Sequence, residues 1–303
     1  MRTYDITILT AEPYLAPASP DWYVEQILLE DRLVREALER RGLRVHRTDW
    51  TDRAFDWSAT GAVLFRAVWD YTSRYDEFLA FLHRVNAVTT LINPLPTILW
   101  NLDKHYLRDL EQRGIHIPPT LYIEKGSGGT LREFYERCGH REAILKPAMS
   151  AGARHTYRLN GAVIAEYEPL FRQLVDAETM MLQPFLPSVL TSGEVTLVVI
   201  GGRYTHAIRK TAKAGDFRVQ DDFGGTVHRY VPTQDEIAFA ERTVSVCSPV
   251  PYYARVDMLR DEEGRLVVSE LEAVEPELWF RFHPEAAERL AEVIAEAAPA
   301  FRS

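Results

Sequence analysis

The sequence predicts an α/β layer followed by two α+β lobes, and three observations carry that prediction. Residues 1 to about 95 alternate short apolar runs with stretches of helical periodicity. At 303 residues the chain is longer than one small domain, so two or three packed units around a shared cleft are expected. Near the C-terminus two strand-like runs flank Asp261-Glu-Glu-Gly264, the pattern of a β-hairpin.

In chain order, Ile6 to Leu9 reads as the first strand, and a helix from about Asp21 to Arg41 stops at Gly42. Arg44 to Arg47 and Ala62 to Phe65 are the next strands. The stretch Tyr75 to Asn86 sets Phe78, Phe81, Leu82 and Val85 on one helical stripe, and Thr90 to Ile92 runs into the stop Asn93-Pro94. The N-terminal domain is therefore placed at 1–95. Thr97 to Arg113 reads as one helical stretch carrying Lys104. Ile117-Pro-Pro-Thr120 opens a strand region, and Gly126-Ser-Gly-Gly129 is a break. Ala143 to Lys146 is a short strand followed by the small-residue loop Ala148 to Ala153 and a strand around His155 to Leu159, giving a small lobe at 96–178. A C-terminal lobe at 179–303 holds Met180 to Leu186, Glu194 to Ile200, Arg203 to Lys210, Tyr253 to Leu259, Leu266 to Ala273 and a closing helix from Pro284 to about Ala298.

Composition narrows the class. With 46% hydrophobic and 26% charged residues and no low-complexity tract, the chain reads as soluble and globular. A net charge of -9 argues against a nucleic-acid surface, which needs clustered Lys and Arg. Cys138 and Cys247 have neither CxxC spacing nor a His pattern, so no disulfide framework or zinc site is implied. Even the most apolar run, Gly61 to Tyr71, contains Arg66 and Asp70, so no membrane span is expected and a cytoplasmic location is.

The hairpin carries the strongest chemical signal. If Arg260 pairs with Arg265, residue 257 lies opposite 268, and the period of two puts Asp257, Glu270 and Glu272 on one face, with Val256, Met258, Val267 and Leu271 on the other. Three crowded carboxylates repel unless a cation holds them, and hard oxygen ligands suit Mg²⁺. A solvated acidic face on an edge hairpin accounts for the same residues. Lys146, at a strand end before the small-residue loop, is placed to reach phosphate oxygens; an exposed strand-end lysine is the plain alternative, and Lys104 has the matching one on a helix. Met181-Leu-Gln-Pro-Phe-Leu186 is an apolar strand broken by Pro184, whose extended backbone suits an adenine edge, and Glu194 is placed to accept from ribose hydroxyls.

Taken in order, Lys104, Lys146-Pro with its loop, Gln183-Pro-Phe-Leu186, Glu194, Val256-Asp257 and Glu270-Leu-Glu272 resemble the ATP-grasp superfamily, in particular glutathione-synthetase and ribosomal-S6-modification type ligases. The resemblance covers about residues 90 to 280. Asn101-Leu-Asp-Lys-His-Tyr-Leu, Gly215-Asp-Phe-Arg-Val-Gln, Phe223-Gly-Gly-Thr-Val-His and Glu270-Leu-Glu-Ala-Val-Glu-Pro are similar to a subgroup that includes the cycloserine-biosynthesis cyclo-ligase. The resemblance implies an ATP-grasp fold with an N-terminal Rossmann-like domain. It also implies ATP and Mg²⁺ as cofactors, with two ions an option and Mn²⁺ an admissible substitute. Lys104 and Lys146 would then hold phosphates under the Ser150 to Ala153 loop, Ser150 and Gly152 included. Gln183, Pro184, Phe185 and Leu186 would form the adenine hinge, Glu194 would hold ribose, and Asp257, Glu270 and Glu272 would be metal ligands. One departure stands out: glutathione-type ligases usually carry Asn where this chain has Glu272.

The catalytic candidates are Lys146, Lys210 and Arg255, because phosphoryl transfer to a carboxylate needs charge neutralisation more than acid or base chemistry. Arg209 shares the strand end with Lys210. For substrate, Arg66, Trp69, Asp70 and Tyr71 follow the third strand, where open α/β sheets offer a crevice, and Glu275 with Arg281 is the second place to look. Aromatic packing with an Arg66–Asp70 pair explains that segment equally well. His206, His228 and His283 have no visible partner and are left out. The expected function is ATP-dependent ligation of a small amino-acid-like carboxylate through an acyl phosphate, with a cycloserine-type cyclo-ligase as the leading variant. The alternatives are an intermolecular carboxylate–amine ligase and a non-catalytic ATP-binding module. A dehydrogenase is set aside because Glu12-Pro13 stands where a Gly-x-Gly-x-x-Gly should follow Leu9. A homodimer is one option for the assembly.

Overall fold

In the computed structural model, which describes residues 2–150, 152–219 and 224–301, the first strands are held by helices on both faces. These elements are β1 (Tyr4–Thr10), α1 (Trp22–Arg40), β2 (Val45–Asp49), β3 (Thr60–Phe65), α2 (Tyr75–Asn86) and β4 (Thr90–Ile92). They build a parallel sheet in the order β2-β1-β3-β4. β3 is buried along its whole length, as a strand covered on both faces must be. The Asp21 carboxylate accepts from Val24 N at 2.9 Å and starts α1.

The stretch read as one helix from Thr97 to Arg113 is instead two, α3 (Leu95–Asn101) and α4 (Tyr106–Gln112), with Lys104 in the break. The cause is a tertiary bond: Lys104 N–H donates to the Ala148 carbonyl at 2.9 Å, across to the next lobe. That lobe contains β5 (Leu121–Ile123), α5 (Leu131–Cys138), β6 (Glu142–Pro147), β7 (Tyr157–Asn160), α6 (Ile164–Ala177) and β8 (Met180–Pro184). Its antiparallel sheet runs β5-β8-β6-β7, so a boundary at 178 cuts off β8, an inner strand of the small-lobe sheet. Leu145, Leu159, Phe171 and Leu182 form its core under α5 and α6.

The C-terminal lobe comprises α7 (Ser188–Thr191), β9 (Glu194–Ile200), β10 (Arg203–Thr211), β11 (Thr226–Tyr230), α8 (Gln234–Ser245), β12 (Tyr253–Arg260), β13 (Leu266–Glu272) and α9 (Glu285–Phe301). Its sheet order is β11-β10-β9-β12-β13, all antiparallel. One face packs on α4 and α8 through Leu107, Leu110, Leu197, Val256, Ala240 and Val244. The other face is divided along its length. Val198, Ile200 and Tyr253 join a core shared with β1, β3, α1 and α9, whereas further along β9 and β12, and on neighbouring β10, lie Glu194, Thr196, Arg255, Asp257 and Lys210. Asn93 ties the units together, its amide donating to the Tyr253 and Ala273 carbonyls at 2.9 and 2.7 Å. Among the described residues no helix is long and apolar enough to cross a membrane.

Candidate active site

A cleft of about 530 Å³ opens where the three units meet. Its acidic wall depends on a detail of the hairpin. Arg260 pairs with Leu266, not Arg265, and continuing that register unbroken would put Asp257 opposite Ser269, with Glu270 on the reverse face. An irregularity between Asp257 and Met258 inserts Ser269 as an extra residue, so Asp257 faces Glu270 and Arg255 faces Glu272. The expected shared face therefore forms, by a different register. On the core side Val268 takes the place assigned to Val267, packing with Met258, Val256 and Leu271. The carboxylate oxygens of Asp257, Glu270 and Glu272 lie within 4.8 Å of one another.

Cations meet these acids. Lys210 Nζ is 2.5 Å from Glu194 Oε1 and 3.1 Å from Asp257 Oδ2. Its strand position opposite Glu194 is possible because Gly193, at φ +74, brings its backbone against the Lys210 carbonyl; a Cβ there would sit 2.5 Å from that oxygen. Arg255 donates to Asp257 at 3.0 and 3.2 Å and also pairs with Glu272. Glu272, in the position where glutathione-type ligases usually carry Asn, thus shares the Arg255 guanidinium with Asp257. Lys104 Nζ reaches Glu270 Oε1 at 3.0 Å and the Ser150 carbonyl at 2.7 Å.

The electrostatics follow from burial and these neighbours. Burial acts to raise Asp257, but Arg255 and Lys210 hold it well below the usual carboxylate range. Burial pushes Glu272 up to about 8, with Arg255 opposing and Glu270 and Asp257 adding to the rise. For Glu270 burial is outweighed by Lys104 and Lys146, and its carboxyl is lowered. Lys146 is lowered by burial, against the pull of Glu270. Three convergent hard oxygen donors, one of them pushed toward neutrality chiefly by burial, are a donor set that suits a divalent cation such as Mg²⁺.

Opposite the acids, the small lobe supplies Lys146 and Ile144 from the cleft side of β6, whose alternate residues Ala143 and Leu145 face the lobe core. Ser150, Gly152, Gln183, Pro184, Phe185 and Leu186 also line the cleft. Ala151 of the small-residue loop, and Gln220 and Phe223 of the two motifs further on, lie outside the described residues. Sequence reasoning missed the apolar slot beside the hinge: Val189, Phe217, Val219 and Leu259 close on Phe185. The available signal was the alternation of β12, which puts Leu259 on the Asp257 face.

The N-terminal segment splits. Trp69 and Tyr71 line the cleft with Glu275, and Trp69 Nε1 donates to the Glu275 carbonyl at 3.0 Å. Arg66 does not line it: it is buried on Glu30 in a side niche, because Glu30 of α1 also accepts from Leu278 N and Phe280 N and fixes a carboxylate there. Asp70 is turned away as well, accepting from Trp50 Nε1 at 2.8 Å. Arg209 lies over the Tyr230 ring, 4.2 Å from its centroid, off the cleft wall.

Comparison with known proteins agrees with this arrangement. Residues 6–93 match the family described as D-cycloserine synthetase DcsG, N-terminal domain, and residues 112–248 match the prokaryotic glutathione synthetase, ATP-grasp domain. The cycloserine biosynthesis protein DcsG of Streptomyces lavendulae is 35% identical over 284 residues, which span 86% of this chain and 91% of the relative. The chain belongs to the ATP-grasp ligases, in the D-cycloserine synthetase family. As a whole this ligase superposes on the crystal structure of D-cycloserine synthetase DcsG with a TM-score of 0.83 at 30% identity, covering 97% of this chain and 99% of the other. The ATP-grasp ligase PsnB, solved with minimal precursor, Mg and ADP, shares the fold at a TM-score of 0.62 and 17% identity, over 97% and 98% of the two chains. This ligase is ATP-dependent, and ATP-grasp enzymes use ATP with Mg²⁺.

Proposed function

We propose that this ligase is a cycloserine-type cyclo-ligase, activating the carboxylate of O-ureido-D-serine as an acyl phosphate and closing the ring by internal attack. The observation that carries the proposal is the composition of the cleft: an acid triad and lysines for the nucleotide, and in the same lining the aromatic side chains Tyr14, Tyr23, Trp69 and Trp279, with Trp69 against both tyrosines. Thirty-five per cent identity to a cycloserine biosynthesis protein supports the substrate class.

In this reading Lys104 and Lys146 take phosphate oxygens beneath Ser150 and Gly152, the slot between Ile144 and Leu259 takes adenine at the Gln183 to Leu186 hinge, and Glu194 takes ribose. Asp257, Glu270 and Glu272 hold Mg²⁺, one ion or two, with Mn²⁺ able to replace it; the metal supplies charge neutralisation on the phosphates. Lys210 and Arg255 line the cleft beside the acids, where they neutralise charge on the transferring group. Trp69, Tyr71 and Glu275 wall the substrate. Antibiotic biosynthesis in the cytoplasm is the setting this chemistry suits.

The test is direct. Purified enzyme with O-ureido-D-serine and Mg-ATP should release ADP and phosphate and give a cyclised product by mass spectrometry, and Glu270→Gln should abolish ADP release while the protein stays folded. ADP release that depends instead on pooled amines and a second carboxylate would replace the cyclo-ligase with an intermolecular ligase. Normal release by Glu270→Gln would remove the acid wall from the mechanism.

A further inference from the structure

Among the described residues six carboxylates line the cleft. Glu194, Asp257, Glu270, Glu272 and Glu277 each have a basic partner, in Lys210, Lys210 with Arg255, Lys104, Arg255 and Arg281 respectively. Among the described residues Glu275 has no salt bridge. A carboxylate bound to a cation is a weak base, since protonation must first give up the ion pair. Glu275 carries no such cost, and it is held in place by other means. Its carbonyl accepts from Trp69 Nε1 at 3.0 Å, and its side chain neighbours the Tyr71 hydroxyl, which favours the charged carboxylate. Both partners come from the N-terminal domain, and they line the same cleft as the acid triad.

We propose that Glu275 is the general base of the ring-closing step. The inference rests on the cyclo-ligase reading and adds a residue and a proton path to it. The attacking nitrogen is a ureido N–H, a poor nucleophile because its lone pair is delocalised. As its N–C bond to the acyl carbon forms, its proton passes to Glu275, the bond between acyl carbon and phosphate oxygen breaks, and inorganic phosphate leaves with that electron pair. Phosphorylation of the carboxylate, by contrast, requires no base. The groups around Glu275 suit the role: burial raises its carboxyl to about 7, the Tyr71 hydroxyl and Arg255 oppose the rise, and Glu270 adds to it. A base with a pKa near the working pH transfers protons most effectively.

The experiment separates the two half-reactions. Enzyme, Mg-ATP and O-ureido-D-serine are incubated with hydroxylamine, a free amine that captures acyl phosphate as hydroxamate without needing an enzymic base. In Glu275→Gln the ratio of ring-closed product to hydroxamate should fall about 100-fold or more, the usual scale of general-base catalysis. The acid limb of the ring-closure pH profile should also disappear. In Tyr71→Phe, loss of a donor that stabilises the carboxylate should move that limb to higher pH. An unchanged ratio, equal loss of both products, or an acid limb that Tyr71→Phe leaves in place overturns the proposal. Should the parent enzyme make hydroxamate only from other amino acids, the substrate reading falls. The base role is then decided by the same ratio, amide to hydroxamate, with that carboxylate and its amine.

Discussion

Arg66 and Arg255 are both buried guanidiniums in carboxylate company, yet only the second lines the cleft. Arg66 neutralises Glu30, which also accepts from the backbone N–H of Leu278 and Phe280. Replacing it with Ala leaves a buried charge with one partner fewer, so Arg66→Ala should lose about 3–5 kcal/mol of stability in urea unfolding. ATP affinity, measured on the folded fraction, should be unaltered. Nothing in the heptapeptide Phe65 to Tyr71 distinguished the two fates, because Glu30 lies a helix away in sequence; Trp69 and Tyr71, in the same segment, do line the cleft. His206 is a second residue whose role depends on its surroundings. Its Nε2–H donates to the Leu278 carbonyl at 2.7 Å, and burial lowers its pKa from 6.5 to about 4. The unfolded chain therefore binds the proton more readily between those values, and the stability that neutral His206 contributes, complete above pH 6.5, is lost as pH falls toward 4. That loss is on the order of 3 kcal/mol. Denaturant unfolding at several pH values should show it in the parent and a flatter dependence in His206→Gln.

At the level of elements, the hairpin was legible in its chemistry and not in its register. The turn Asp261 to Gly264 and the two apolar stripes identify the pair of strands, but a bulge leaves no mark in a period-two pattern beyond one polar residue, here Ser269. Deleting Ser269 should restore an unbroken ladder with Asp257 still opposite Glu270 and Arg255 opposite Glu272, because Glu270 then follows Val268 directly and stays on the cleft face. Mg²⁺-dependent ADP release should therefore survive the deletion, and Ser269→Ala should likewise retain the metal wall and forfeit only the 2.9 Å hydrogen bond to Glu194. Loss of release in the deletion alone would mean that the bulge itself, and not only the shared face, sets the spacing of the acids. Helices α5 and α8 were legible and went unread: Thr130 and Thr233 each open a capping box with a Glu three residues on. The break between α3 and α4 was not, since a hydrogen bond from Lys104 N to Ala148 in another lobe decides it.

For the molecule as a whole, the order of units along the chain differs from their order in space. The closing helix α9 packs on α1 and β3, and the small lobe joins the rest at its two ends, where Leu121 of β5 is the register partner of Leu182 of β8. Entry and exit are therefore neighbours. In the vocabulary of gene architecture, segment 121–184 is an insert, a self-cored cassette spliced into a two-part host at a point where its two ends meet. Bridging Thr120 to Phe185 with a short Gly/Ser linker should leave a host that still melts cooperatively by circular dichroism and no longer releases ADP, since Lys146 and one wall of the cleft depart together. A host that collapses would show that the cassette has become part of the frame. If the host survives, exchanging cassettes between relatives should alter nucleotide handling while the Trp69, Tyr71 and Glu275 wall of the cleft, and with it substrate choice, stays behind.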